Sequence, residues 1–296
     1  MKLLALATLA AGVFVGEAHA TSFLNITNGL WSTGLGGNGA ALNSGATDPH
    51  YQIIAIPSGC GLGDQTCWQA VNTLFGPSAY VVHSLNPGNN QPVFPFDGTW
   101  ASGNGTKSLW IGPKADQVGP ANPDPFDSNN TPLGQFPNIS IYPVNGVDTG
   151  ALFIYRLTFN LSALGLIPGT ANVQLAWSSD DPDNGLSPND PNYLASHINI
   201  CSNVGTPQEV CATVPNSGNT GYVDTALSTV TIGSQFFSNG PMALDFYVYN
   251  KPVQFKDPSG LRVEFTVADA QGLPEPGTLA LIGLGLTGII ALRRKH

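Results

Sequence analysis

Period-two alternation of apolar and polar residues is the strongest pattern in this sequence. From Phe153 to Leu161 every odd position is apolar and most even positions are polar. Val173, Leu175 and Trp177 alternate with Asn172, Gln174 and Ala176, and Leu244, Phe246 and Val248 with Ala243, Asp245 and Tyr247. Leu261, Val263, Phe265 and Val267 alternate with Arg262, Glu264 and Thr266. Successive side chains of a strand point to opposite faces, so each segment predicts a strand with one core face and one wet face. Further strands are expected at 51–56, 79–83, 108–111, 138–142, 197–200, 210–214 and 229–237. Turn chemistry fills the gaps, with Asn-Pro-Gly at 86–88, Asn-Gly at 145–146 and 184–185, Pro-Gly at 168–169 and Pro-Ser-Gly at 258–260. Many short strands with Gly and Pro punctuation predict an all-β antiparallel β-sandwich or jelly roll. No fixed-period repeat argues for a propeller or solenoid.

The two ends break this pattern. Met1-Lys2 gives a positive start, residues 3–15 an apolar run, and Ala18-His19-Ala20 the small-x-small site that a signal peptidase cuts. Residues 1–20 therefore read as a signal helix and 21–272 as one β ectodomain. Near the other end, Pro274-Glu275-Pro276 precedes 16 apolar or uncharged residues from Gly277 to Leu292, then Arg293-Arg294-Lys295. As a helix that run spans roughly 24 Å, a marginal length for crossing about 30 Å of hydrocarbon. The basic end belongs on the cytoplasmic side, which places the ectodomain across the membrane. Glycines at 283, 285 and 288 weaken the helix, which suits a temporary anchor.

The tail 273–296, with its Pro-Glu-Pro, short apolar helix and basic terminus in that order, resembles the PEP-CTERM sorting signal of exosortase substrates in Gram-negative bacteria. The resemblance implies recognition around Pro274, Glu275 and Pro276 by a membrane-embedded sorting enzyme, with transient residence in the inner membrane before transfer to the cell surface. Thr27-Asn28-Gly29-Leu30, Asp48-Pro49-His50-Tyr51, Ser108 to Pro113, Tyr155 to Phe159 and Gly260 to Glu264 occur in an order similar to a galactose-binding-like β-sandwich module found ahead of such tails. After Trp177-Ser178-Ser179-Asp180-Asp181 this chain inserts a loop that the module lacks.

Charge and cysteines narrow the chemistry. Residues 21–272 hold six basic and seventeen acidic side chains, a net charge of −11. Such a surface repels phosphate backbones and argues against nucleic-acid binding. Four cysteines, Cys60, Cys67, Cys201 and Cys211, all lie in the exported part and form no CxxC pair. Outside the cytoplasm they read as disulfides, and of the three connectivities the spacing favours 60–67 with 201–211.

Candidate sites are few. Asp180, Asp181 and Asp183, with Asn184 and Asp190, crowd oxygen donors onto one loop that would suit calcium, although the spacing fails the EF-hand pattern. His50, His83 and His197 have no zinc-site spacing, and no G-x-S-x-G elbow or P-loop is present. Trp110 and Trp177 read as core, whereas Trp31, Trp68 and Trp100 lie in turn-rich segments where a ring could stack on a sugar. The expected function is a non-catalytic surface or matrix protein associated with exopolysaccharide. A purely structural biofilm component and a secreted polysaccharide hydrolase are the alternatives, the latter because carboxylate spacing depends on the fold.

Overall fold

A computed structural model describes residues 20–43, 45–54, 78–81, 107–112, 143–144, 147–148, 151–179, 182–183, 195–218, 221, 227–250 and 260–273. The expected signal helix, the sorting tail beyond Leu273, Cys60, Cys67, Trp68, Trp100, Asp180 and Asp181 lie outside these residues. Among the described residues no helix is long and apolar enough to cross a membrane.

The chain is all-β. Its strands are β1 (Ala20–Ser22), β2 (Thr47–Ile53), β3 (Ser78–Val81), β4 (Ile111–Gly112), β5 (Pro143–Val144), β6 (Val147–Asp148) and β7 (Ala151–Phe159). They continue with β8 (Asn172–Ser179), β9 (His197–Ser202), β10 (Val210–Thr213), β11 (Ser228–Ile232), β12 (Met242–Asn250) and β13 (Leu261–Gln271). Eleven form one antiparallel sheet in the order β10-β9-β12-β7-β2-β3-β4-β13-β8-β11, with β1 added on β13. Strands β5 and β6 pair separately, Val144 opposite Val147.

The sheet curls. β12 is third along the path and β8 ninth, yet Trp177 on β8 and Phe246 on β12 meet with ring centroids 5.8 Å apart. Alternation explains this, because each long strand turns its apolar set to the same inner side. Phe153, Tyr155, Leu157 and Phe159 of β7 are buried beside Leu244, Phe246 and Val248 of β12 and Ile198 and Ile200 of β9. Val173, Leu175 and Trp177 of β8 with Val263 and Phe265 of β13 supply the opposing side. Trp110 and Trp177 are buried, as the sequence predicts.

Three local expectations need correction. The 229–237 segment is not one strand: β11 ends at Ile232, and a single 3-10 turn follows at Ser234–Phe236. The 108–111 strand contracts to Ile111–Gly112, because Leu109 instead bonds the N-terminal segment through its amide to Thr33 O (2.8 Å). Trp31 is also displaced from its expected role. It is 5% exposed, stacked on His50 at 3.9 Å with its indole nitrogen donating to Ile26 O, so its ring is engaged within the fold.

Candidate functional site

The outer face of the β10-β9-β12-β7-β2 region carries the densest polar chemistry among the described residues. Register puts Thr213, Asn199, Asp245, Arg156 and Gln52 opposite one another on successive strands, a polar row that crosses five of them. The alternation forces this row outward: each of its members on β7, β9 and β12 sits between two core residues.

Arg156 is its centre. Its Nε donates to Asp245 Oδ1 (2.7 Å), and its Nη2 donates to Asp245 Oδ2 (2.7 Å) and to Glu209 Oε1 (2.6 Å). Glu209 comes from the β9–β10 turn and uses its other oxygen to accept the Gly205 amide (3.0 Å). Burial lowers the proton affinity of the Arg156 guanidinium, but its two carboxylate partners more than reverse that, so it stays charged. Burial pushes the Asp245 carboxyl above its ordinary value while Arg156 pulls against it, and the Glu209 charge adds to the rise. Burial also raises Glu209, yet Arg156 and the Gly205 amide outweigh it and hold that carboxyl below the usual range.

Next to this network, Cys201 and Cys211 form a disulfide between directly opposed positions of β9 and β10. The sequence expectation for this pair holds, while Cys60 and Cys67 lie outside the described residues. Asp245 Oδ2 lies 3.3 Å from Cys201 Sγ. A disulfide sulfur carries neither proton nor anionic charge, so this is packing rather than a hydrogen bond. It also gives the Cys201, Cys211 and Asp245 cluster no thiolate with which to hold a metal.

Beside the row His197 and Tyr247 stack, ring centroids 4.5 Å apart and nearly parallel. His197 Nδ1 donates to Ala195 O (2.8 Å), which leaves Nε2 as the lone-pair nitrogen. Burial lowers the His197 pKa, and burial together with the Asp245 charge raises that of Tyr247. The Asn199 side-chain oxygen has no hydrogen-bond partner. Of the calcium candidates only Asp183 is described, as an isolated bridge to Ala195.

Sequence reasoning missed a second polar centre. Asp48 is 2% exposed and accepts the Gly34 amide on Oδ2 (2.6 Å) and the His50 (2.8 Å) and Tyr51 (3.3 Å) amides on Oδ1. Burial, which outweighs these three bonds, raises its pKa to about 6. Gly34 has φ +74°, and a Cβ there would stand 2.5 Å from the Leu109 Cβ, so glycine is needed where the amide meets Asp48. Asp48 ties the N-terminal segment to β2 and faces inward, so it reads as a structural anchor rather than a ligand site.

Residues 273–295 match the PEP-CTERM protein-sorting motif. This motif implies processing by an exosortase-type enzyme, export across the membrane and sorting to the cell surface. No curated protein and no solved structure matches the chain.

Proposed function

We propose that this chain is the precursor of a non-catalytic surface or matrix protein of a Gram-negative bacterium. A signal peptidase removes residues 1–20, the apolar tail helix holds the precursor transiently in the inner membrane, and an exosortase-type enzyme acts around Pro274, Glu275 and Pro276. The observation that carries this reading is the PEP-CTERM match beginning at the last described residue of the β domain. We read the curled sheet as a β-sandwich of the galactose-binding type, supported by the Trp177–Phe246 contact between distant strands. We also read its outer polar row as a surface for exopolysaccharide. Gln52 and Thr213 are exposed, and the partly exposed, stacked Tyr247–His197 pair lies beside them. Sugar recognition uses this mixture of hydroxyl-directed polar groups and aromatic surface. The non-catalytic reading is supported by the pairing of Asp245 and Glu209 with one guanidinium, which leaves neither carboxylate free to take a proton from substrate.

A glycan array that includes the producing cell's own exopolysaccharide tests this function. Binding that drops about 5–10-fold in Tyr247→Ala, roughly one aromatic contact, is the expected result. No glycan binding by the folded protein would leave a purely structural surface component, and turnover of polysaccharide would make it a hydrolase.

A further inference from the structure

The first and last strands of the sheet are paired beside both expected processing sites. In β1, Ala20, Thr21 and Ser22 lie opposite Gln271, Ala270 and Asp269 of β13. The contact continues upstream along β13: Phe23 N donates to Ala268 O (2.9 Å), Phe265 N to Ser32 Oγ (3.0 Å), and Val263 N to Thr33 Oγ1 (3.0 Å). Residues 20–23 and 32–33 thus hold to β13, the segment between them turns back on itself through Asn25 N to Leu30 O and Leu30 N to Phe23 O, and Phe23, Leu30 and Trp31 are buried. Residues 165–170 clasp the other edge of its end. Ile167 N donates to Gln271 O (2.8 Å), Gln271 N to Thr170 Oγ1 (2.8 Å) and Leu273 N to Gly165 O (2.7 Å). These bonds reach Leu273, where the sorting motif starts.

We propose that closure of β1 onto β13 and cleavage after Ala20 are mutually exclusive, so that signal removal precedes the last step of folding. This rests on the export reading above. Hydrolysis adds water across the Ala20–Thr21 amide, leaving a carboxylate on Ala20 and an ammonium on Thr21. A protease needs that backbone extended and free to pair with the enzyme. In the closed ladder both residues that flank the bond are already paired. After the cut, Thr21 and Ser22 keep their partners, while Gln271 loses its β1 partner three residues before Pro274.

Order of synthesis supplies the time for cleavage. β13 is the last strand made, so β1 waits about 10–50 s for its partner at ordinary synthesis rates.

The test uses the full signal-bearing chain in detergent micelles, with its disulfide oxidised, and purified bacterial signal peptidase. Precursor freshly diluted from urea should be cut after Ala20, and the folded precursor at least about tenfold more slowly, because cutting follows the open population. Phe23→Ala removes the buried ring that anchors β1 without touching Ala18 or Ala20, and should restore cutting of the folded chain. A second variant needs no weakened fold: Ser22→Cys with Asp269→Cys, opposite each other in the ladder, should abolish cutting once cross-linked. Equal rates for folded and unfolded precursor would overturn the proposal and leave export intact. Failure to cut the unfolded precursor would overturn both.

Discussion

At Arg156 one guanidinium holds two carboxylates from different parts of the chain, and Asp245 beneath it is almost completely buried. Removing the cation strands a buried charge, which costs more than the pair itself contributes. Arg156→Ala should lower unfolding free energy by about 3 kcal/mol, read as a shift of the urea midpoint. Arg156→Lys should recover only part of it, because a point ammonium cannot make the two-pronged contact with Asp245 and still reach Glu209. At Asp48 the prediction is one of pH. Its pKa in the fold is about 6 against 3.8 ordinarily, so the protonated form is the one the fold favours. Its stabilising contribution is therefore complete below about pH 4 and lost as pH rises through about 6, amounting to about 3 kcal/mol. Asp245 shifts in the same direction and Glu209 in the opposite one, so the difference between wild type and Asp48→Asn isolates the effect. The urea midpoint of Asp48→Asn should change less between pH 4 and pH 7 than that of wild type. The variant should also be weaker at both values, since an amide nitrogen would face the Gly34 N–H donor.

Among the elements, the β9–β10 hairpin is fixed twice, by the Cys201–Cys211 disulfide and by Glu209 on Arg156. With a sequence separation of 10 between the cysteines, the chain-entropy relation gives about 2.7 kcal/mol for the cross-link. Replacing both cysteines with alanine should lower stability by about that amount and speed amide exchange across residues 203–213, while β7 and β12 stay protected. The long strands were legible because a half-buried strand writes its two faces into alternate residues, as Phe153 to Phe159 shows. β1 was not, because Ala20, Thr21 and Ser22 have no apolar face and their partner strand ends the domain. Nor did the sequence disclose the Arg156–Asp245 pair, since the register that joins β7 to β12 is a tertiary fact and both residues occupy ordinary outward positions. β11 stops at Ile232 because Ser234 breaks the apolar face of Val230 and Ile232, and the backbone turns after Gly233 into a 3-10 segment.

For the whole molecule, the two apolar sides of one curled sheet depend on contacts such as Trp177 against Phe246. Trp177→Ala should cost about 3–5 kcal/mol, seen in thermal or urea unfolding, because it opens a large cavity and leaves the Ser217 carbonyl without its indole donor. The tail gave its meaning away from sequence because its three parts are contiguous and need no fold to be recognised. The role of the outer polar row depends on how strands far apart in the chain assemble. The proposed function puts this acidic β domain on the cell surface after loss of both ends. Intact-mass analysis of the protein recovered from surface and membrane fractions tests that most directly. The account predicts a species that begins at Thr21 and lacks the apolar tail from Thr278 onward; an unprocessed chain from Met1 to His296, confined to the cytoplasm, would contradict it.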